Sequence, residues 1–424
     1  MDYAMVRLIF GIWPLLFGMF LLMVGNGLQG TLIGVRASIE GFSTLQLSAV
    51  TSAYFLGFLG GSIAAPGIIS RVGHVRVFAA LASFISATLI LYPVIPIFWA
   101  WVVLRILIGF CFSGVYVTAE SWLNNSATNN TRGQILSLYI IVQMAGLVAG
   151  QALLNIGAPE GYLLFIAASV LVSISFAPIL LSITPTPAFE ATKPMSIKEL
   201  FSTSPLGCVG MFFLGGVFSA QFGMAPVFGT NAGLTLSEIS IFVAAFYIGA
   251  MVFQFPIGWL SDRMDRRILI VATSAVGFIA AISAVMVEDI FIVFVVSAFF
   301  IGGMSNPLYS LLIAYTNDFL ELEDMASASG GLLFLNGLGA ISGPIITGYL
   351  MTKMGSQGFF IILATLLGLL TVYGFFRMTQ RGISDVDTSS YATVLPTASV
   401  VAVEIAQELA IEAAEEAVQS QSSD

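Results

Sequence analysis

Twelve long apolar stretches run through this sequence of 424 residues. A hydrocarbon core about 30 Å thick needs roughly 20 apolar residues per helix, so each stretch is long enough to cross a bilayer. The chain is 58% hydrophobic and only 9% charged, a balance that a water-exposed surface does not tolerate. The sequence therefore predicts an all-α integral membrane protein with twelve transmembrane helices.

The stretches form two groups of six, separated by a polar interval that contains three prolines. In the first group the predicted spans are 8–34, 44–69, 76–95, 97–121, 133–156 and 160–182. In the second group they are 205–231, 238–260, 267–287, 290–316, 325–351 and 357–377. We predict four parts: a six-helix bundle (1–183), a linker (184–204), a second six-helix bundle (205–381) and an acidic tail (382–424).

The second half repeats the first. The segment that begins at Gly41 matches the segment that begins at Gly233, an offset of 192 residues (233 − 41). Other matched pairs at an offset of 192 or 193 are Gly57 with Gly249, Gly109 with Gly302, Tyr116 with Tyr309, Gly146 with Gly339, and Gly150 with Gly343. Because both halves have six spans, the pattern predicts parallel repeats related by an axis along the membrane normal.

Basic residues give the expected orientation, because Lys and Arg in short loops stay on the cytoplasmic side. An even number of spans puts both termini on one side. The loops on that side hold Arg7, Arg71, Arg76, Arg132, Lys193, Lys198, Arg263, Arg266, Arg267, Arg377 and Arg381. The opposite loops hold only Arg36 and Lys353. We predict a multi-pass protein of the bacterial inner membrane with both termini in the cytoplasm.

Local motifs add a family resemblance. The turn that ends in Arg267 reads GWLSDRMDRR and resembles the GxxxDRxGRR loop of the major facilitator superfamily, with Asp265 in place of glycine. Arg105 and Gly109 resemble the RxxxG motif of the same superfamily, whose arginine is associated with proton-coupled transport. Four segments also resemble the YcaD-like branch: Gly25 to Gly30, Arg71 to Ala80, Glu120 to Gly133, and Pro256 to Arg267.

The resemblance implies two pseudo-symmetric bundles around a cavity lined by spans one, four, seven and ten. On those spans the candidate substrate-binding residues are Asn26, Gln29, Arg105, Tyr116, Gln221, Asn306 and Tyr309. Arg105 is the leading candidate, because a permanent charge in hydrocarbon normally faces a polar interior and its repeat counterpart is Ala298. A structural ion pair for Arg105, and helix-to-helix hydrogen bonds for the amides, remain the alternatives.

A second set of residues is predicted to couple or gate transport: Arg105, Glu120, Arg132, Asp262, Arg263 and Arg266. Glu120 is either a proton carrier or a cytoplasmic latch held by Arg132 or by the arginines near Asp262. Asp262 is expected beside the amino end of span five or eleven, where unpaired N–H groups and the helix dipole favour a carboxylate. That contact would favour the outward-open state.

We therefore predict a monomeric secondary transporter for a small organic solute, coupled to protons. Arg105 as the only deep charge favours anionic or neutral polar solutes. Alternatives are efflux of lipophilic compounds, or a transporter-like sensor that signals through its tail. Neither a catalytic motif nor a site for a cofactor, a metal or nucleic acid is evident, and His74 is expected in a solvated loop. The tail glutamates at 404, 408, 412 and 416 predict an amphipathic helix or partial disorder.

Overall fold

A computed structural model of the protein describes residues 3–126, 129–180, 195–287, 290–320, 322–380, 391, 393–395, 399, 401–403 and 406–408. Within these residues, twelve helices are long and apolar enough to cross a membrane. The first six are Ile12–Ile39, Thr44–Val72, His74–Val94, Phe98–Asn124, Gln134–Ile156 and Leu163–Leu180. The second six are Pro205–Asn231, Leu236–Ser261, Arg266–Met286, Phe291–Asn317, Ser327–Met354 and Gly358–Gln380. We number them spans 1 to 12.

The predicted spans are confirmed, and the main difference in length is at the end of span 1. This helix continues to Ile39, five residues beyond the predicted end at 34. Arg36 lies in the extension, where its Nε donates to Glu40 at 2.6 Å and its Nη1 donates to the carbonyl of Pro159 at 3.1 Å. Because these groups satisfy the guanidinium, the charge does not end the helix.

Spans 2 and 8 begin with the same local structure, as their matching sequences predict. Ser43 accepts a hydrogen bond from the backbone of Gln46, whose side chain bonds back to it, and Thr235 and Glu238 form the equivalent capping box. Each box follows a turn glycine with positive φ, Gly41 at 79° and its repeat counterpart at 73°. The two repeated segments therefore adopt the same backbone conformation.

Matched glycines set the distance between spans 2 and 4 and between spans 8 and 10. A Cβ on Gly57 would lie 1.9 Å from the carbonyl oxygen of Ile106, and one on Gly249 would lie 1.9 Å from that of Phe299. Such contacts are possible only without a side chain. The backbones of these helix pairs therefore touch, which is how helices associate when lipid removes the hydrophobic driving force.

A second pair of crossings joins span 1 to span 5 and span 7 to span 11. A Cβ on Gly146 would lie 2.9 Å from the carbonyl oxygen of Phe20, and one on Gly339 would lie 1.9 Å from that of Phe212. The partners, like the glycines, are repeat counterparts. Both halves are thus built on the same two close helix crossings, and the predicted pseudo-symmetric bundles are confirmed.

The halves meet on the side of the membrane that holds Arg36, which we call the distal side. Small polar groups join them there: Ser38 Oγ lies 3.2 Å from Thr230 Oγ1, and Ser240 Oγ donates to the carbonyl of Gln151 at 2.5 Å. Further bonds join Asn231 to Thr44 at 3.1 Å and Ser237 to Asn155 at 2.7 Å. We call the opposite side, which holds Asp262 and Tyr391, the tail side.

We expect Gly57→Ala to lower the free energy of unfolding by about 1–3 kcal/mol, because its Cβ overlaps the backbone of span 4. Gly60→Ala is the matched control in the same helix, since a Cβ there would meet no atom within 4 Å. Thermal unfolding of the purified proteins in detergent measures both. Equal midpoints for the two variants would contradict the close crossing.

Candidate functional site

Four of the predicted substrate-binding residues form one chain of hydrogen bonds in the first half. Arg105 Nη1 donates to Gln29 Oε1 at 2.9 Å, and Gln29 Nε2 donates to Asn26 Oδ1 at 2.9 Å. Asn26 Nδ2 then donates to the hydroxyl of Tyr116 at 3.3 Å. The chain joins span 1 to span 4, and we call it the Arg105 network.

The spacing of these residues along the two helices explains why they meet. Asn26 and Gln29 are three residues apart and therefore share a helix face, and Arg105 and Tyr116 lie three turns apart on one face of span 4. Arg105 is only 5% exposed. Among the described residues it forms no ion pair, its Nε has no hydrogen-bond partner, and its guanidinium lies 5.1 Å from the ring centre of Tyr54.

A cavity of about 50 Å³ lies between the halves beside this network. Its lining comes from spans 2, 7 and 11: Tyr54, Phe55, Phe58, Leu59, Ser62, Phe218, Phe222, Leu333, Asn336, Gly337 and Ala340. Two of the lining rings contact the network. The ring of Tyr54 lies 5.1 Å from the guanidinium of Arg105, and the ring of Phe58 lies 6.0 Å from the ring of Tyr116. The network therefore lies one layer of side chains behind the cavity wall.

The second-half candidates do not join this network. Gln221 lies in a π-helical turn of span 7, Ala220–Met224, and exchanges hydrogen bonds with Ser305 of span 10 at 3.0 and 3.2 Å. π-Turns of this kind are frequent at functional sites. Asn306 Nδ2 donates to the carbonyl of Gly302 in its own helix at 3.1 Å, and the buried hydroxyl of Tyr309 has no hydrogen-bond partner among the described residues.

The loop after span 8 differs from our expectation for Asp262. Its carboxylate accepts a hydrogen bond from the backbone N–H of Tyr391 at 2.7 Å, a contact with the C-terminal segment instead of with the amino end of another span. Arg263 lies on the ring of Trp259, 4.1 Å from its centre. Arg266 forms a buried ion pair with Asp318 at the end of span 10. These two arginines thus have partners other than Glu120.

The departure from the family loop at Asp265 has a local explanation. Its carboxylate caps span 9 by accepting from the backbone N–H of Arg267 at 2.9 Å, and it also pairs with the Arg267 guanidinium at 2.6 Å. Partial burial opposes ionisation, but these bonds and this charge outweigh it and hold the pKa of Asp265 below its ordinary value. The aspartate therefore starts the next helix where the family has glycine.

Comparison with known proteins identifies the family. A sequence profile of the Major Facilitator Superfamily matches residues 15–236 and 206–390. The chain belongs to this superfamily. An uncharacterized MFS-type transporter, YcaD of Escherichia coli O17:K52:H18 (strain UMN026), is 28% identical over 358 residues, which cover 83% of this chain and 91% of the relative.

Two solved structures of transporters share this superfamily fold. The nucleoside transporter NupG, in a mutant form, superposes with a TM-score of 0.75 at 15% identity, over 86% of this chain and 99% of the other. A bacterial homologue of the human lysosomal transporter Spinster, inward-facing and unoccupied, gives 0.65 at 15% identity, over 94% and 97%. The predicted resemblance to the superfamily and to its YcaD-like branch is confirmed.

In this superfamily member, Glu120 is held by a partner that the sequence did not suggest. Its Oε2 accepts from the backbone N–H of Ser399 at 2.8 Å and its Oε1 accepts from the hydroxyl of Tyr139 at 3.3 Å. We expected an arginine here. The side chain of Arg132 lies outside the described residues, so that part of the hypothesis stays a prediction.

Two further features were missed or misjudged in the sequence. His74 is 1% exposed, not solvated, and its Nε2 lies 2.8 Å from Ser121 Oγ, next in sequence to Glu120. The C-terminal residues that contact Glu120 and Asp262 were expected to form an independent tail. A signal was present, since Val394 and Leu395 and the run from Val400 to Val403 are apolar, whereas the tail before them is mostly polar.

We expect Asp318→Asn to lower the free energy of unfolding by about 3–5 kcal/mol, because it removes one charge of the buried ion pair between Asp318 and Arg266. Their side chains are only 7% and 2% exposed. Glu40→Gln is the control, since its pair with Arg36 is more exposed and contributes about 0–1 kcal/mol. The midpoints of thermal unfolding of the two variants measure these losses of stability. A smaller loss for Asp318→Asn than for Glu40→Gln would refute the assignment.

Proposed function

We propose that this protein is a secondary active transporter that moves a small organic solute across the bacterial inner membrane by alternating access. Its membership of the superfamily and its two pseudo-symmetric halves around a cavity support transport. On the distal side the halves are joined by hydrogen bonds between small side chains and by close packing of Gly34 on Pro226 and of Gly348 on Ser48.

The Arg105 network supports an anionic or neutral polar substrate. Arg105 is buried, forms no ion pair among the described residues and keeps one N–H group without a partner. A permanent positive charge in this state attracts an anion and repels a cation. A small movement of Tyr54 or Phe58 would open the network to the cavity. NupG is a nucleoside transporter, so nucleosides are the neutral polar class to test first.

Glu120 is the proposed proton carrier. It lies inside span 4, it is only 1% exposed, and its partners among the described residues are a hydroxyl and a backbone N–H group. Its repeat counterpart is Ile313, so the repeated scaffold does not require an acid here. A buried carboxylate with neutral hydrogen-bond partners can exchange a proton when access to it alternates.

We expect any substrate to raise the thermal midpoint of the purified protein, because a ligand at about 100 times its Kd stabilises the folded state by about 2.7 kcal/mol. A screen of organic acids, nucleosides and quaternary amines should find its strongest response among the acids or nucleosides. Arg105→Met should abolish the response, and Arg76→Met, at an exposed position, should keep it. Flux into proteoliposomes with and without a pH gradient then tests transport and coupling.

The strongest response from a quaternary amine would overturn the substrate class. Flux that is indifferent to the pH gradient would overturn proton coupling. Absence of any flux with a stabilising ligand would favour the sensor alternative.

Efflux of lipophilic compounds is the second candidate, and the cavity itself favours it. Five of the lining side chains are aromatic, and two of them, Phe218 and Phe222, stack at 6.0 Å. Aromatic walls bind flat apolar molecules without requiring a charge. A response to lipophilic dyes that persists in Arg105→Met would select efflux over the transport of polar solutes.

We propose that the tail side faces the cytoplasm, since Arg71, Lys198 and Arg263 lie there and only Arg36 and Lys353 lie on the distal side among the loops compared. The conformation described here is then inward-facing. A C-terminal green fluorescent protein fusion should fluoresce in cells, and a C-terminal alkaline phosphatase fusion should be inactive. The reverse result would overturn the orientation.

A further inference from the structure

The described C-terminal residues, which we call the tail segment, lie between the two halves on the tail side. The segment comprises residues 391, 393–395, 399, 401–403 and 406–408. Its apolar side chains are buried: Val394 is 2% exposed, Leu395 3%, Val403 1% and Ala406 2%. A tail in solution would leave these side chains in water, so the segment is packed as part of the transporter.

The first half holds the tail segment through spans 4 and 5. The backbone N–H of Ser399 donates to the carboxylate of Glu120 at 2.8 Å, and Glu120 also binds the hydroxyl of Tyr139. Val394, Leu395 and Ala402 share a small cavity with Glu120 and span 5. The anchor of the segment in this half is therefore the same carboxylate that we propose as the proton carrier.

The second half holds it at three places, on span 8, on the loop that follows span 8, and on span 10. The carboxylate of Asp262 accepts from the backbone of Tyr391 at 2.7 Å, and Gln254 Nε2 donates to the Tyr391 hydroxyl at 3.2 Å. Ser310 Oγ accepts from the N–H of Val394 at 2.9 Å and donates to its carbonyl at 3.0 Å.

The far end of the segment is anchored at the end of span 10 and the start of span 11. Gln407 Nε2 donates to Asn317 Oδ1 at 3.2 Å and to the carbonyl of Met325 at 3.0 Å, and it also bonds to Ser329. The segment thus pairs backbone and side-chain groups along its length, which a nonspecific apolar contact does not do.

From these contacts we infer that the tail segment is an autoinhibitory plug, which fills the opening between the halves on the tail side and holds the transporter in the conformation described here. The halves cannot approach each other on this side while the segment lies between them. They are already joined on the distal side by Ser38 and Thr230. Alternating access therefore requires the segment to leave, and its release is the regulated step.

The regulatory role rests on the proposed transport function, whereas occupancy of the opening does not. Occupancy is tested by cysteine labelling in a protein without its native cysteines. Both are buried, and they are replaced by Cys111→Ala and Cys208→Ala. Ile140→Cys then places one thiol beside Leu395, in the cavities that the segment covers. Purified protein in detergent is treated with a charged maleimide, and the labelling rate is measured.

We expect deletion of residues 382–424 to raise the labelling rate at position 140 about tenfold. This is the increase expected if the segment covers the site in about nine of ten full-length molecules and in none of the truncated ones. Leu89→Cys, fully buried in span 3, which packs against spans 4 and 6 of its own half, should label at the same low rate with and without the tail. Equal rates at position 140 in the full-length and truncated proteins would overturn the plug.

Point variants keep the test decisive if the truncated protein aggregates. Ser399→Pro removes the N–H group that binds Glu120, and Ser310→Ala removes both bonds to Val394. Each should raise the labelling rate at position 140. Ser342→Ala is the control, because Ser342 bonds to the carbonyl of Gly339 in its own helix. A response no larger than that of the control would overturn the plug.

Flux in proteoliposomes separates the two proposals. Faster flux in the truncated protein, together with faster labelling, supports both the plug and transport. Faster labelling with no flux for any stabilising ligand leaves the plug standing and overturns the transport function. Unchanged labelling with normal flux overturns the plug alone.

Discussion

Inside a bilayer, backbone N–H and carbonyl groups have no water to bind, so every spanning segment must satisfy them within itself. That requirement makes the spans helical, but it does not bring helices together, because lipid is as apolar as their side chains. Glycines supply the missing contact: Gly57 and Gly249 press against the carbonyls of the facing helices in equivalent places. Both halves are built on these crossings, and the cavity lies where the two halves meet.

Against this shared scaffold, we propose that the residues without a repeat counterpart carry the individual chemistry. In the repeat, the position of Arg105 corresponds to Ala298 and the position of Glu120 corresponds to Ile313. The structure accommodates the two charges differently. Arg105 is held by the amide of Gln29 and the ring of Tyr54, whereas Glu120 is held by hydroxyl and backbone groups. Both side chains have neutral partners among the described residues, which supports the proposed roles in binding a solute and carrying a proton.

The two sides of the membrane differ in how the halves are connected. On the distal side Ser38 and its neighbours form short direct bonds. On the tail side the described contacts between halves run through the tail segment, which binds Glu120 in one half and Asp262 in the other. The tail segment therefore binds Glu120 and Asp262, two of the residues that we propose to couple or gate transport.

The sequence by itself determined the spans, the repeat and the superfamily, because hydropathy, glycine spacing and the loop motif are each contained in short stretches of sequence. Hydropathy in particular decides which stretches are stable in a bilayer. It also brought Asn26 with Gln29, and Arg105 with Tyr116, onto common helix faces. Only the tertiary structure decided that these faces join in one network, that His74 is buried, and that Ser399 binds Glu120. The tail contact joins positions 279 residues apart. This contact depends on the packing of the tail segment between helices of both halves. The arrangement of those helices is set by tertiary structure and cannot be deduced from a local pattern in the tail.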